Sequence, residues 1–183
     1  MMRSLLVAAW LFVVSAPLAA QEVAGDTTLP ASGVHWLSLE EAETLHRDTP
    51  KNFLFMVYSE DCQWCQKMAQ ETFADTSIAE KINTRFYAVR FTMAKAGEFF
   101  ISSLLLNVFN KHNFPAIFFF NENFQPITNL SGYQTLEQFK PYLTYAGETK
   151  YYQNMDFDDF KKTWDNIQSI KSNRKDLTLK VDR

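Results

Sequence analysis

Residues 52–73 read NFLFMVYSEDCQWCQKMAQETF and hold the only two cysteines of the chain, Cys62 and Cys65. Residues 53–58 form an apolar run rich in β-formers with no polar alternation, the pattern of a strand buried on both faces of a central sheet. Ser59-Glu60-Asp61 follows as a short polar loop, and Cys-x-x-Cys opens a helix expected over residues 62–72. The first turn of a helix has unpaired N–H groups and the positive end of the helix dipole, both of which favour an anion on the leading sulfur. Cys62 is therefore the expected nucleophile. Cys65, one turn behind, is placed to resolve a mixed disulfide formed on Cys62. Glu60 and Asp61 oppose ionisation of Cys62, while Lys67 could assist it. Direct N–H contacts act at hydrogen-bond range, whereas exposed carboxylates are screened over about 8 Å, so the helix end is expected to prevail.

Composition sets the frame for this pair. The chain has 183 residues, 46% apolar and 15% aromatic, enough for one well-filled domain with both faces of a sheet covered. Residues 1–20 carry Arg3, an apolar run over 5–14 and the small-residue stretch Ala16-Pro17-Leu18-Ala19-Ala20, the layout of a signal peptide cut near Ala20. The apolar part, about sixteen residues, falls short of the ~20 needed to span a bilayer. Export to the periplasm without stable membrane insertion after cleavage is thus expected. An exported chain can use disulfides as staples, but here both cysteines lie three apart and none is left for a long-range bridge. Removing Arg3 from the 18 Lys and Arg leaves 17 against 21 Asp and Glu, a net charge of −4, which argues against nucleic acid as a partner.

Residues 21–33 mix Gly, Pro, Thr and Ala without periodicity and read as a flexible lead-in. A short extended segment is expected over 34–37, then a helix capped by Ser38 with Glu41 three residues on, its apolar face carrying Leu39, Ala42 and Leu45. Pro50 closes it. After the cysteine helix, Asp75 can cap a further turn through Ile78 and Ile82, and residues 85–92 form a second core strand. A helix is expected over 97–112 with a stripe of Phe100, Leu104 and Leu105 or Val108, apolar enough all round to pack against more than one neighbour. Residues 116–120 form a strand, and 124–130 pair back as an antiparallel edge marked by Pro126. Thr135 and Gln138 make a second capping box ahead of a helix bearing Leu136, Phe139, Leu143 and Ala146, with Pro141 inside it. Asp156 caps a last amphipathic helix to about residue 170, with Phe157, Phe160, Trp164, Ile167 and Ile170 on its stripe, and residues 171–183 read as a polar, frayed tail. Alternating helices and strands in the first half imply parallel pairing, with the hairpin as the antiparallel addition.

Over roughly residues 53–146 the chain resembles the thioredoxin superfamily: a strand, then Cys62-Gln63-Trp64-Cys65 at a helix start, then a proline at the head of a later strand in Phe114-Pro115-Ala116-Ile117-Phe118. The resemblance implies an α/β thioredoxin fold, a central mixed β-sheet flanked by helices, here with an extra C-terminal helix. It also implies that Pro115 is cis and lies beside the redox pair, and that Phe114 and Pro115 contact a bound substrate chain. The stretch FQPITNLSGYQTLEQFKPYLTYAGETKYY, residues 124–152, is more particularly similar to exported thioredoxin-like proteins associated with sulfur oxidation (SoxW-like). Two departures stand out. Met56 occupies the strand position where thioredoxins carry a buried acid, so proton relay to Cys65 must come from water, Glu60 or Asp61. The usual Gly-Pro between the cysteines is Gln63-Trp64, and Phe114 stands where Thr or Val is usual.

These residues also carry plainer readings. Zinc wants four ligands, and the three histidines His35, His46 and His112 are scattered. Haem attachment would need a histidine where Gln66 stands. Cu(I) held by both thiolates with Met68 or Met93 is chemically reasonable but has no Met-rich run behind it. No cofactor is assigned. Trp64 is expected to be exposed and to face a partner. Phe114 divides evenly between core and groove, and His112 reads as a surface residue at a helix end in preference to a base. The expected partners are protein disulfides or dithiols together with a membrane-bound or protein redox donor. The expected activity is disulfide exchange, as a reductase in preference to an oxidase or isomerase, with a binding module lacking turnover as the reading from another class.

Overall fold

The computed structural model describes residues 29–148, 152 and 154–181. The expected signal peptide and most of the lead-in lie outside the described residues. Five strands form one sheet: β1 (Trp36–Leu37), β2 (Asn52–Tyr58), β3 (Phe86–Thr92), β4 (Ala116–Phe120) and β5 (Pro126–Ser131). Their order is β1-β3-β2-β4-β5. Six helices accompany them: α1 (Leu39–Asp48), α2 (Gln63–Glu71), α3 (Thr76–Arg85), α4 (Ala96–Val108), α5 (Leu136–Gly147) and α6 (Phe157–Val181).

β2 is the spine. It pairs parallel with β3, placing Met56 beside Arg90, and antiparallel with β4, placing Met56 beside Ile117. Every residue from Phe53 to Tyr58 is buried. Successive side chains of a strand point to opposite faces, so this run feeds two cores. Leu54, Met56 and Tyr58 pack with Met68 of α2, Ile82 of α3 and Phe139 of α5 on one side. Phe53, Phe55 and Val57 pack with Ala42 of α1 and Leu105 and Leu106 of α4 on the other. Each such phenylalanine or leucine contributes roughly 1.5–3 kcal/mol by leaving water. Asn52 at the strand entrance donates from Nδ2 to the Ala146 carbonyl at 2.8 Å, tying the start of β2 to the end of α5.

Local chemistry starts the helices where their caps predict. Ser38 accepts from the Glu41 N–H and Glu41 accepts from the Ser38 N–H at 2.7 Å, and Thr135 and Gln138 repeat the arrangement on α5. Such caps are worth about 1 kcal/mol each. The Asp75 carboxylate accepts from Ile78 N–H at the head of α3. Hydrogen bonds, first from the Ser77 hydroxyl and then from that N–H, hold its pKa below the usual carboxylate range.

Four expectations are corrected. The lead-in is packed from Leu29 onward: Leu29 and Val34 are buried, and Gly33 N–H donates to the Phe73 carbonyl at 3.2 Å. A side chain at Gly33 would put its Cβ 2.8 Å from Ala79 Cβ, so only glycine fits against α3 there. Second, β4 is already antiparallel to β2, so the reversal lies inside the sheet and not only at the β5 edge. Alternation of strand and helix does not fix where a connection re-enters the sheet, and hence not strand direction. Third, α4 buries Ser102, Leu105 and Leu106, while the expected stripe residues Phe100, Leu104 and Val108 are exposed, as is Phe99. A helix apolar around its circumference does not indicate which face meets the sheet. Fourth, α6 runs through Val181, past the expected helix end near residue 170. Of its expected stripe, Phe160 is buried and Ile167 and Ile170 are exposed.

The Ser102 hydroxyl is buried against the sheet with no hydrogen-bond partner. A buried donor left unpaired costs about 1–3 kcal/mol, and alanine is the better helix former. Ser102→Ala is accordingly expected to stabilise the fold by about 1–2 kcal/mol, read as a higher urea midpoint at unchanged slope. A midpoint that stays level or falls would show the hydroxyl to be satisfied in solution.

Candidate functional site

The exit of β2 leads directly into the cysteine pair. After Tyr58, the Ser59 carbonyl accepts from Cys62 N–H at 3.2 Å and turns the chain into α2. Cys62 is the N-cap of that helix, and its Sγ accepts the Cys65 N–H at 3.1 Å. The two sulfurs are joined as a disulfide, with the Cα atoms 5.2 Å apart. Their environments differ: Cys65 is fully enclosed, whereas Cys62, though largely buried, opens onto a surface cavity of about 700 Å³. An N–H group aimed at Sγ, together with the positive end of α2, favours negative charge on Cys62 when the pair is reduced.

The second wall of the cavity comes from the approach to β4. Past α4 the chain passes Asn110, held at φ 50°, and then His112 and Asn113, before a cis peptide between Phe114 and Pro115. Pro115 is buried, and its carbonyl accepts from Gly132 N–H at 2.8 Å, binding the end of β5 to this loop. Gly132 has φ 81°, a conformation that side chains disfavour. The lining includes Asp61, Cys62 and Trp64 from the end of the β2–α2 loop and the start of α2, His112 and Phe114 from the approach to β4, and Tyr133 from just past β5. Phe114 serves both purposes that its sequence context allowed: it is half-buried, touches the cores on both sides of the sheet and still faces the cavity. Trp64 is 57% exposed.

Tyr133 was not singled out by sequence, yet it organises the rim. Its ring lies 5.7 Å from that of Trp64, and its hydroxyl donates to Glu71 Oε2 at 2.5 Å. Lys67 sits over both rings, 4.9 Å from Tyr133 and 5.7 Å from Trp64, and pairs with Glu71 at 3.9 Å. Lys67 was expected to act on Cys62. Its partners are instead the two aromatic faces and Glu71, which hold the exposed indole in a fixed setting. The one sequence clue to Tyr133 was an aromatic directly after a glycine at the end of an edge strand.

Met56 is fully buried in the same cluster as both cysteines. Among the described residues the buried polar side chains are Thr72, Thr92 and Ser102, so no carboxyl lies beneath the pair. Glu60 and Asp61 are exposed, and of the two Asp61 lines the cavity. His46 packs on Phe53 with ring centroids 4.8 Å apart, far in role from the site. Among the described residues, no group of three or more His, Cys, Asp or Glu side chains comes together as a metal-ligand set.

The family described as a thioredoxin-like domain matches residues 39–147, and the chain belongs to that family. Solved structures agree on the fold. A thioredoxin-fold protein from Helicobacter pylori aligns over 81% of this chain and 91% of its own at 16% identity, with a TM-score of 0.56. A putative disulphide-isomerase from Bacteroides thetaiotaomicron aligns over 66% of this chain and 98% of its own at 21% identity, with a TM-score of 0.53. A protein titled DsbH Oxidoreductase aligns over 63% and 85%, at 15% identity and a TM-score of 0.51. A search of curated protein sequences returned no match.

The bond to Glu71, first, and burial, second, raise the pKa of the Tyr133 phenol above the ordinary tyrosine value. The neutral phenol is the form favoured by folding, so this contribution is present below the ordinary tyrosine range and is lost as pH rises through the raised value. Glu71→Ala is expected to bring Tyr133 ionisation back down toward that ordinary value, followed by NMR titration of ring-labelled tyrosine. An unchanged Tyr133 titration would refute the rim described above.

Proposed function

We propose that this protein is an exported thiol–disulfide oxidoreductase that exchanges disulfides with protein substrates, acting as a reductase. The observation that carries the reading is the asymmetry of the pair: Cys62 at the N-cap faces a cavity, and Cys65 is enclosed one turn behind it. In the reduced protein the Cys62 thiolate attacks a substrate disulfide, forming a mixed disulfide and releasing one substrate thiolate, which takes a proton. The Cys65 thiolate then attacks Cys62 Sγ, closing the Cys62–Cys65 disulfide and releasing the second substrate thiol. Two electrons pass from the pair to the substrate, and a dithiol donor, membrane-bound or soluble, restores them. Trp64 and Phe114 line the cavity in which the substrate chain lies, and Pro115, itself buried, holds the loop that carries Phe114.

Export is supported by the leader-like composition of residues 1–20. Among the described residues no helix is long and apolar enough to cross a membrane. The reductase direction rests on the architecture of a thioredoxin-type unit working in an oxidising compartment, where electrons must be supplied from a donor.

Cys65→Ser is expected to accumulate mixed disulfides through Cys62 and to lose multiple-turnover reduction of insulin, while Cys62→Ser loses both. A Cys65→Ser protein that traps nothing would sink the exchange reading in favour of a binding module. The reduction potential is expected between about −200 and −270 mV, and a value near −120 mV would reverse the proposed direction.

A further inference from the structure

We infer that His112 is the proton donor to the sulfur that leaves when Cys62 attacks a substrate disulfide, and the acceptor of that proton in the reverse direction. The inference rests on the exchange reading above.

Displacement at a disulfide is in line, so as Cys62 Sγ bonds to one substrate sulfur the other departs on the side away from Cys62, into the cavity. The groups there that could meet it are few. Asp61 lines the same cavity, and a carboxylate both accepts only and repels a developing thiolate. Tyr133 already donates its hydroxyl to Glu71, and its phenol is held in the neutral form. His112 is the remaining titratable side chain of the lining, contributed by the loop that leads into β4. Lys111 adjoins it in sequence, and Asp61, Cys62 and Tyr133 are the other ionisable groups of the lining.

The imidazole is exposed and has Asn110 as a side-chain partner. Its Nε2 lies 3.2 Å from Asn110 Oδ1, and an amide oxygen accepts, so Nε2 carries hydrogen and Nδ1 is the nitrogen that takes and releases a proton. Asn110 is itself fixed in the left-handed conformation that ends the α4 turn. The same loop runs into β4 and is tied to Gly132 by the Pro115 carbonyl, which accepts the Gly132 N–H. An imidazole can both give and take a proton, as a group that meets a leaving thiolate in one direction and its thiol in the other must. The interior supplies no alternative, because Met56 stands beneath the pair and no described carboxyl is buried there.

The step balances as follows. Cys62–S⁻ and R–S–S–R′ give Cys62–S–S–R and R′–S⁻. The imidazolium of His112 passes its proton to R′–S⁻, leaving neutral imidazole, which water reprotonates.

Leaving-group chemistry separates this role from a structural one. An alkyl thiolate is a strong base and gains from a proton donor, whereas an aryl thiolate leaves readily without one. The test uses the reduced protein, wild type and His112→Gln, in single-turnover reactions with oxidised glutathione and with a diaryl disulfide. The expected result is a loss of roughly tenfold with oxidised glutathione, below the hundredfold reached when proton transfer dominates a barrier, and little change with the diaryl disulfide. Added imidazole should restore the glutathione reaction in His112→Gln. Equal loss with both disulfides, with or without a shift in urea midpoint, would assign His112 a structural role and overturn the inference, and so would no loss with either. A wild-type protein that reduces neither disulfide would instead remove the exchange reading itself.

Discussion

The hydrogen bond from Cys65 N–H to Cys62 Sγ does two jobs at once. A helix beginning at residue 63 must satisfy the N–H groups of its first turn, and in most helices a side-chain oxygen does so. Here sulfur fills that place, so the start of α2 and the reactivity of Cys62 are settled by one contact. Shifting the helix start by one residue would remove both together. The disulfide then closes across the same turn, with Cys65 facing the core and Cys62 facing the cavity.

That contact is placed by β2, which is buried on both sides and ends at Tyr58 in the centre of the sheet. A strand with a core on each face cannot slip by one residue without reversing every side chain. The position of Cys62 therefore inherits its precision from Phe53, Phe55 and Val57 on one face and Leu54 and Met56 on the other. The opposite wall has the same kind of support. β4 pairs with β2 from Ala116, so the Phe114-Pro115 loop is set by the register that sets the cysteine loop. Two segments about fifty residues apart in sequence thus meet at a cavity because they flank neighbouring strands.

What was legible in the sequence follows from how local each signal is. β2 reads correctly to its ends because an uninterrupted apolar run encodes burial on both faces by itself. The caps at Ser38, Asp75 and Thr135 read correctly because each needs partners only two or three residues away. Cys62 and Cys65 were legible for the same reason, and Pro115 through the likeness its surroundings carry. Leu29 and Tyr133 were misjudged or passed over, since their meaning lies in contacts with segments remote in sequence. α4 failed differently: Phe99, Phe100, Leu104, Leu105 and Leu106 offer apolar surface in every direction, and only the sheet decides which of them is covered.

Met56 has a consequence for the surroundings in which the protein works. Charges sealed in a low-dielectric interior are shielded from mobile ions, whereas exposed ones are screened over about 8 Å at physiological salt. With an uncharged thioether beneath the disulfide, the charged groups of this region include Glu60, Asp61, Lys67 and Glu71, all exposed. The field at Cys62 is then shared with the bathing electrolyte, so the ionic strength of the compartment becomes a variable of the redox centre itself.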